Sequence, residues 1–373
     1  FRQTLDLSGI KRYNLRMKTA KRIIKIVLVV LLALLLVVSG YLAYVALSYT
    51  RIEDRQRLSV EDGTSSDKVV RNESYTIVTQ NFGFGAYTPD FTFFMDGGKD
   101  SRAKSAESVR DCMEKAYDEI KGYSPDFVFL QEVDTDSTRS HHVNERAAFD
   151  EKFADYSKVF AVNYHSAYLM YPLFKPHGKS NSGMTTYARY GVSGAVRRSF
   201  PVASGLSKFL DLDRCYSVVR VPCANGRDLV LYNVHSSAYG GSDTLRSAQM
   251  TMLFDDMKAE YSVGNYVVCG GDFNHDFTGT STKDLNGGES VDFGWAHPFP
   301  EELIPDGFSR CMNYNDGKIN PTCRNCDVPY KEGNFTIIVD GFIVSDNVTV
   351  TSLENVVTGF VYSDHNPVVM KFK

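Results

Sequence analysis

Two short stretches decide the fold: Val267-Val-Cys-Gly-Gly-Asp272-Phe-Asn274 and Phe360-Val-Tyr-Ser-Asp364-His365-Asn-Pro367. In each, an apolar run that suits a buried strand stops at hard oxygen donors or a titratable imidazole. The arrangement recurs. Asn81 closes Tyr75-Thr-Ile-Val-Thr-Gln, Glu132 follows Phe127-Val-Phe-Leu-Gln131, His235 follows Val230-Leu-Tyr-Asn-Val234, and Asp340 follows Phe335-Thr-Ile-Ile-Val339. Strand ends on a layered sheet project side chains from a rigid frame into one crevice. These residues are therefore expected to converge. Taken singly, each word is ordinary: an Asp-x-Asn after glycines is a turn whose side chains bond their own backbone, and an Asp-His pair is a common ion pair. The set carries the chemistry.

The intervening sequence supports alternating strands and helices. Ala106, Val109, Cys112, Met113, Ala116 and Ile120 follow helical spacing within 101–121, and the run 126–131 then reads as a buried strand. Strand-helix-strand in this order predicts a layered α/β domain. Further strands are expected at 214–221, 228–234 and 265–270, with a helix between the last two marked by Leu245, Ala248, Met252, Leu253 and Met257. Strands return at 335–344, 348–358 and 367–372. No internal repeat or low-complexity tract is present.

In order along the chain, Gln131-Glu132, Asn233-Val-His235, Gly270-Gly-Asp-Phe-Asn274, Val339-Asp-Gly-Phe342 and Ser363-Asp-His-Asn-Pro367 resemble the words of the endonuclease/exonuclease/phosphatase superfamily. That superfamily includes deoxyribonuclease I, abasic-site endonucleases, neutral sphingomyelinases and inositol-polyphosphate 5-phosphatases. The resemblance spans about residues 74–373. It implies a four-layer α/β sandwich, two packed mixed β-sheets flanked by helices. It also implies roles: Glu132 as the principal metal carboxylate with Asn81 and Asp364 beside the metal; Asp272 as the group that positions or deprotonates the attacking water; and Asn274 as its orienter and a substrate contact. His365 paired with Asp340 matches the essential histidine, His235 a second histidine against the phosphate, and Asn81 a further phosphate contact. One departure stands out. Where many members carry a Ser-Arg word after a glycine, this chain has Gly183-Met-Thr-Thr-Tyr-Ala-Arg189, so Arg189 fits as a substrate contact but the small hydroxyl is missing.

The roles make physical sense unaided. A phosphodiester is anionic and repels a nucleophile, so hydrolysis needs a hard cation on a non-bridging oxygen, donors for developing charge and an aligned water. Carboxylate and amide oxygens suit Mg²⁺, with Mn²⁺ as its substitute. An acid partner fixes a histidine's tautomer and raises its basicity.

The formal net charge of -4 hides an asymmetry: residues 1–50 hold eight Lys and Arg against Asp6 alone, leaving 33 basic and 44 acidic residues in the remainder. That acidity argues against a protein held on nucleic acid by broad counterion release. Ile26 to Leu47 is a run of 22 residues without a charge, enough to span a hydrocarbon core of about 30 Å as a helix. Basic residues crowd its N-terminal side, and Tyr41 and Tyr44 sit near its far end. Residues 1–25 are thus expected to be cytoplasmic, 26–47 a single transmembrane helix, 48–70 a stalk and 71–373 an extracellular or lumenal catalytic domain. The competing reading is a cleaved signal peptide, whose apolar region is usually shorter.

Cys112 and Cys269 fall in apolar patterns and are expected to be buried thiols, whereas Cys311, Cys323 and Cys326 suggest a disulfide staple more than half a zinc site. The aromatic run 82–95 reads either as packing on the sheet or as a rim for bases or a lipid tail, and a second aromatic stretch spans Tyr164, Tyr168, Met170, Tyr171 and Phe174. The expected substrate is a phosphoester: nucleic acid, or a lipid or small phosphodiester. The partners are that substrate and the membrane; no obligate protein partner is evident. The alternative function is a catalytically silent, membrane-tethered binding protein that keeps the fold.

Overall fold

The computed structural model describes residues 7–202, 213–238, 242–288, 295, 297–312 and 319–373. Two compact units result, Phe1–Thr50 and Arg51–Lys373. The first is one continuous helix, α1 (Leu7–Ser48), which runs through the basic segment as well as the apolar one. Its stretch from Lys11 to Ser48 is long and apolar enough to cross a membrane, as a span or a signal sequence.

In the second unit the strands are, in chain order, β1 (Gln56–Arg57), β2 (Val60–Glu61), β3 (Tyr75–Asn81), β4 (Phe127–Asp134), β5 (Ser157–His165), β6 (Asn181–Ala188), β7 (Gly194–Ser199), β8 (Cys215–Pro222), β9 (Asp228–His235) and β10 (Tyr266–Asp272). They continue as β11 (His275–Asp276), β12 (His297–Pro298), β13 (Phe308–Arg310), β14 (Cys323–Arg324), β15 (Thr336–Ile337), β16 (Asp340–Ser345), β17 (Val350–Asn355) and β18 (Val368–Phe372). The helices are α2 (Ala106–Gly122), α3 (Glu145–Lys152), α4 (Asp243–Ser262) and α5 (Ser281–Leu285).

Two seven-stranded mixed sheets carry the unit, ordered β1-β7-β8-β9-β10-β16-β13 and β17-β18-β3-β4-β6-β5-β2. Their inner faces meet in one core built from Ile77, Phe127, Phe129, Val219, Leu231, Val268, Phe342 and Met370 among others. The outer face of the second sheet is covered by α2, whose buried stripe is Val109, Cys112, Met113, Ala116 and Ile120. Ser105 caps that helix by accepting from the Ser108 amide. The outer face of the first sheet is covered by α4 through Met250, Leu253, Phe254 and Met257. This is the expected four-layer sandwich.

The expected strands and helices are present, but three long strands, β5, β6 and β7, escaped the sequence reading, as did the strands of two or three residues β1, β2 and β11 to β14. Strand β7 turns Arg197 and Ser199 inward, and β6 buries Ser182, Thr185 and Thr186, so neither shows an apolar face. Strand β5 does alternate buried and half-buried positions. The expected stalk at 48–70 also needs correcting: β1 pairs with β7 and β2 with β5, at opposite sheets' edges, and Leu58 packs on the inner core. Backbone hydrogen bonding and an apolar side chain draw that segment onto the domain.

All seven cysteines are free thiols, which corrects the expected staple. Cys311 joins the core between the sheets, Cys323 a small cluster with Ile337 and Val339, and Cys326 the outer core under α2. Neighbours in sequence, they are drawn into three different packing environments.

Candidate active site

Register places the site. Parallel pairing of β9 with β10 sets His235 opposite Asp272, and antiparallel pairing of β10 with β16 sets Asp340 opposite Asp272. His235, Asp272 and Asp340 thus form one row across the end of the first sheet. On the facing sheet, β3 and β4 run parallel, and their pairing ends at Asn81 and Gln131. The glycines before Asp272 make the approach feasible: a Cβ on Gly271, at φ +141°, would lie 2.0 Å from the Val234 carbonyl oxygen, and one on Gly270 would strike the Phe342 ring.

Asp272 is the hub. Its Oδ2 accepts from Asn81 Nδ2 at 3.0 Å and from Asn274 Nδ2 at 3.3 Å, and its Oδ1 from the Asn274 amide at 2.8 Å. Two imidazole nitrogens approach the same Oδ2: His235 Nε2 at 3.5 Å and His365 Nε2 at 3.9 Å. His365 Nδ1 lies 2.7 Å from Asp340 Oδ2. The loop carrying His365 is pinned by Ser363 Oγ, which donates to the Asn81 carbonyl at 2.9 Å and accepts from the His365 amide at 3.1 Å.

Two site residues sit in the left-handed region, Glu132 at φ 54° and Asn274 at φ 48°. Glu132 lies where the pairing of β4 with β6 shifts between Leu130 and Val133. Such a bulge re-aims a side chain, here out of the core. Strained backbone at this end of the sheets is a mark of a functional site.

Burial raises Asp272 to about 6, a shift that His365 opposes and Asp340 reinforces. Asp364 is pushed to about 7, again chiefly by burial, with Glu132 adding repulsion against His365 and Arg324. For His365, burial works downward, but the Asp340 carboxylate overrides it and holds the imidazole well above its ordinary value. His235 is driven well below by burial, then by Arg214 and by His365. The two histidines are therefore driven in opposite directions, His365 toward holding its second proton and His235 toward the neutral ring.

The oxygen donors Glu132, Asp364 and Asn81 line one pocket and suit a hard divalent cation. A second grouping, Asp272, Asp340 and His365, offers ligand atoms within 4.8 Å of one another, and Asp340 Oδ1 is buried without a hydrogen-bond partner. A cation placed there would have to displace the proton shared by His365 and Asp340. Carboxyls that burial makes reluctant to ionise fit a site completed by a cation.

That reluctance has a measurable sign. A carboxyl raised on folding contributes stability that is present below its unfolded value near 3.8 and lost as pH rises through its folded value. The lowered His177, His235 and His275 act in the opposite sense up to about pH 6.5, so the carboxyls are read from the cation effect: Mg²⁺ is expected to raise the melting temperature more at pH 7.5 than at pH 5. A cation effect that is flat across this window, measured by calorimetry, would remove the carboxyls from the metal site.

Arg189 does not join the site. Strand β6 runs antiparallel to β4 and pairs Ala188 with Phe127, so Arg189 emerges at the opposite end of the sheet, where its Nε donates to Tyr156 at 2.7 Å. The pocket instead contains three arginines that sequence reading missed, Arg139, Arg214 and Arg324. Arg139 is held by Asp134 at 2.9 and 3.1 Å, lies 3.5 Å from Glu132 and covers the Phe84 ring. Arg214 hydrogen-bonds His235 Nε2, while Asn163 contacts His235 Nδ1 at 2.9 Å. The atom placed against Nδ1 is the Asn163 amide nitrogen; since Nε2 accepts from Arg214, a neutral ring carries its proton on Nδ1, and the hydrogen bond is satisfied only with that amide turned over so that its oxygen accepts. None of these residues stands in a recognisable word; only the β4 bulge and the sheet register bring them in.

The aromatic run 82–95 is mostly packing. Phe82, Phe84, Tyr87, Phe91 and Phe93 are buried in the outer core, although Phe84, Tyr87, Phe93 and the exposed Met95 also contribute to the pocket wall. The cavity is about 120 Å³. That is below the size of a typical drug-like site.

The family model described as Endonuclease/Exonuclease/phosphatase family matches residues 81–365. No curated protein matches the chain. Among solved structures it is similar to the endonuclease/exonuclease/phosphatase from Beutenbergia cavernae, at a TM-score of 0.55 and 18% identity over 81% of this chain and 72% of that one. It is also similar to ANGEL2, a 2',3'-cyclic phosphatase, in complex with adenosine-2',3'-vanadate, at a TM-score of 0.52 and 13% identity over 85% and 98%. A third is TDP2 of D. rerio complexed with single strand DNA product, at 0.50 and 14% over 81% and 100%. At these identities the likeness is one of fold.

Proposed function

Because the chain belongs to the endonuclease/exonuclease/phosphatase family, whose members hydrolyse phosphoesters, we propose that it cleaves a phosphodiester by attack of a water activated by Asp272. The observation that carries this reading is the convergence on Asp272 Oδ2 of Asn81, Asn274, His235 and His365, drawn from both sheets. A carboxylate raised to about 6 is still ionised at pH 7.5 and is a better base than an ordinary aspartate. Asn274 keeps its amide between Asp272 and the Ser236 carbonyl, at 3.3 and 3.0 Å, and so fixes the direction from which water is taken.

Glu132, Asp364 and Asn81 would hold Mg²⁺ or Mn²⁺, which supplies neutralisation of the non-bridging oxygens when bound. His365, fixed through Nδ1 by Asp340, presents an Nε2 proton toward the pocket and stabilises charge on the phosphoryl oxygens. Arg214 adds a permanent cation beside His235 and takes the anion-binding role first expected of His235 and Arg189. Arg214→Ala is accordingly expected to lower kcat/KM by roughly tenfold to a hundredfold, the worth of a charged hydrogen bond, and Arg189→Ala to leave it unchanged. Equal effects of the two would return the substrate contact to the far end of β6.

The helix α1 supports a single-pass arrangement with the N-terminus cytoplasmic, residues 1–25 on that side and the enzymatic unit outside the cell or in a lumen. Protease added to intact cells should then remove that unit, and its protection would reverse the orientation. The reaction class is tested by incubating the purified full chain with plasmid DNA, RNA, sphingomyelin and phosphatidylinositol phosphates in Mg²⁺, Mn²⁺ or EDTA. Cation-dependent cleavage of at least one is expected, and cleavage of none would leave the silent binding protein as the better reading.

A further inference from the structure

We propose that the tip at residues 168–174 seats the pocket mouth on a lipid bilayer, so that the phosphoester hydrolysed is one displayed at a membrane surface; the substrate half of this rests on the phosphoesterase reading above. The tip lies in the connection between β5 and β6. Phe174 is fully exposed, Leu173 75% and Tyr171 68% exposed, and Tyr168 and Met170 are exposed beside them. Soluble surfaces seldom gather large apolar side chains in this way without a partner.

The tip is braced. Leu169 and Gly178 exchange backbone hydrogen bonds at 3.0 Å each, the His177 amide donates to the Tyr171 carbonyl at 3.0 Å, and Ser101 Oγ and Arg102 Nε donate to the carbonyls of Lys175 and Pro176, both at 2.5 Å. Phe94 packs on Tyr171, with ring centroids 5.7 Å apart. A segment this well held keeps Leu173 and Phe174 in water although the fold offers apolar surface elsewhere.

Its foot is the pocket wall, since His177 and Tyr164 line the cavity together with Met95. A substrate whose phosphoester head enters this small cavity would leave its remainder beside the apolar tip.

The chemistry favours a bilayer over a protein. Phe174 and Leu173 protrude, and a side chain exposed on every side is satisfied by a fluid apolar medium rather than by one flat docking face. Tyr168 and Tyr171 contact the body of the domain, Tyr168 through Arg102 Nη2 at 3.5 Å and Tyr171 through the Phe94 ring, and Lys99, Lys175 and Lys179 are exposed, with Lys175 3.4 Å from Asp100. Exposed leucine and phenylalanine accompanied by tyrosines and lysines in one segment are the residue types that suit acyl chains, interface and anionic headgroups. The apolar helix of the same chain would hold the unit at high effective lipid concentration.

The test uses the full chain in nanodiscs of brominated phosphatidylcholine mixed with phosphatidylserine. The parent has a single tryptophan, Trp295, so the emission added by Phe174→Trp reports the tip alone. That emission is expected to be blue-shifted and mostly lost relative to unbrominated discs. The pair Leu173→Ser with Phe174→Ser is expected to slow hydrolysis of a vesicle-borne phosphodiester by about tenfold or more while leaving bis(p-nitrophenyl) phosphate within about twofold. Unquenched emission, or equal loss on both substrates, overturns the proposal. So does self-association of the detergent-solubilised chain that the double variant abolishes, which would give the tip to a second copy. Failure of the parent to cleave any phosphodiester sinks the catalytic reading instead, and the quenching still decides insertion.

Discussion

Asp272→Asn is expected to lower the rate of phosphodiester hydrolysis by about a thousandfold or more, because one change removes both the proton acceptor and a charge around which four side chains are arranged. The amide has nearly the same shape. It keeps an oxygen for the Asn274 amide, but turns an N–H₂ toward both Asn81 Nδ2 and Asn274 Nδ2, so two hydrogen bonds are lost. Against that loss, the substitution relieves the burial of a carboxylate whose ionisation folding disfavours, as its upward shift to about 6 records. The two effects oppose each other above pH 6, and the melting temperature should move by only a few degrees. Single-turnover kinetics paired with calorimetry separates chemistry from fold. A variant that is inactive and also unfolded would not support the assigned role; one that is folded and fully active would remove it.

The second large effect is expected at Glu132. Glu132→Gln keeps the bulge and the contact distance but halves the donor charge offered to a cation, so the rate at ordinary Mg²⁺ should fall by about a hundredfold or more and partly recover at high Mg²⁺. The cation-induced rise in melting temperature should shrink in parallel. Glu132 also faces Arg139 at 3.5 Å and His235 at 3.9 Å, so lost activity alone would be ambiguous. The rescue by cation is the discriminating readout. An unchanged Mg²⁺ dependence would place the cation elsewhere, with Asp272, Asp340 and His365 the next candidate set.

Much of this site was legible because its residues stand where apolar runs stop. Asn81, Glu132, His235, Asp272, Asn274, Asp340, Asp364 and His365 all line the pocket or, for Asp340, bind a residue that does. What the words could not give was register. Arg189 follows an apparent family word, yet the antiparallel run of β6 carries it away from the site and brings Ser182 toward it. Arg214 directly precedes β8, and only the pairing of Cys215 with His235 brings it to the histidine. Arg139 reaches the site through Asp134, just past the bulge. Polar inward faces hid β6 and β7 from a pattern search that looks for apolar alternation. The cysteines were misjudged for a related reason: closeness in sequence says little about which layer of a sandwich a side chain enters.

If Asp272 and a divalent cation act together on a phosphodiester, turnover requires both. That requirement is measured by hydrolysis of bis(p-nitrophenyl) phosphate by the purified full chain, followed through removal of cations with EDTA and back-titration with Mg²⁺, alongside Asp272→Asn and His365→Ala. The expected result is a rate that falls to background in EDTA, returns with Mg²⁺ and stays at background in both variants. A rate undiminished by EDTA, or undiminished in both variants, would contradict it.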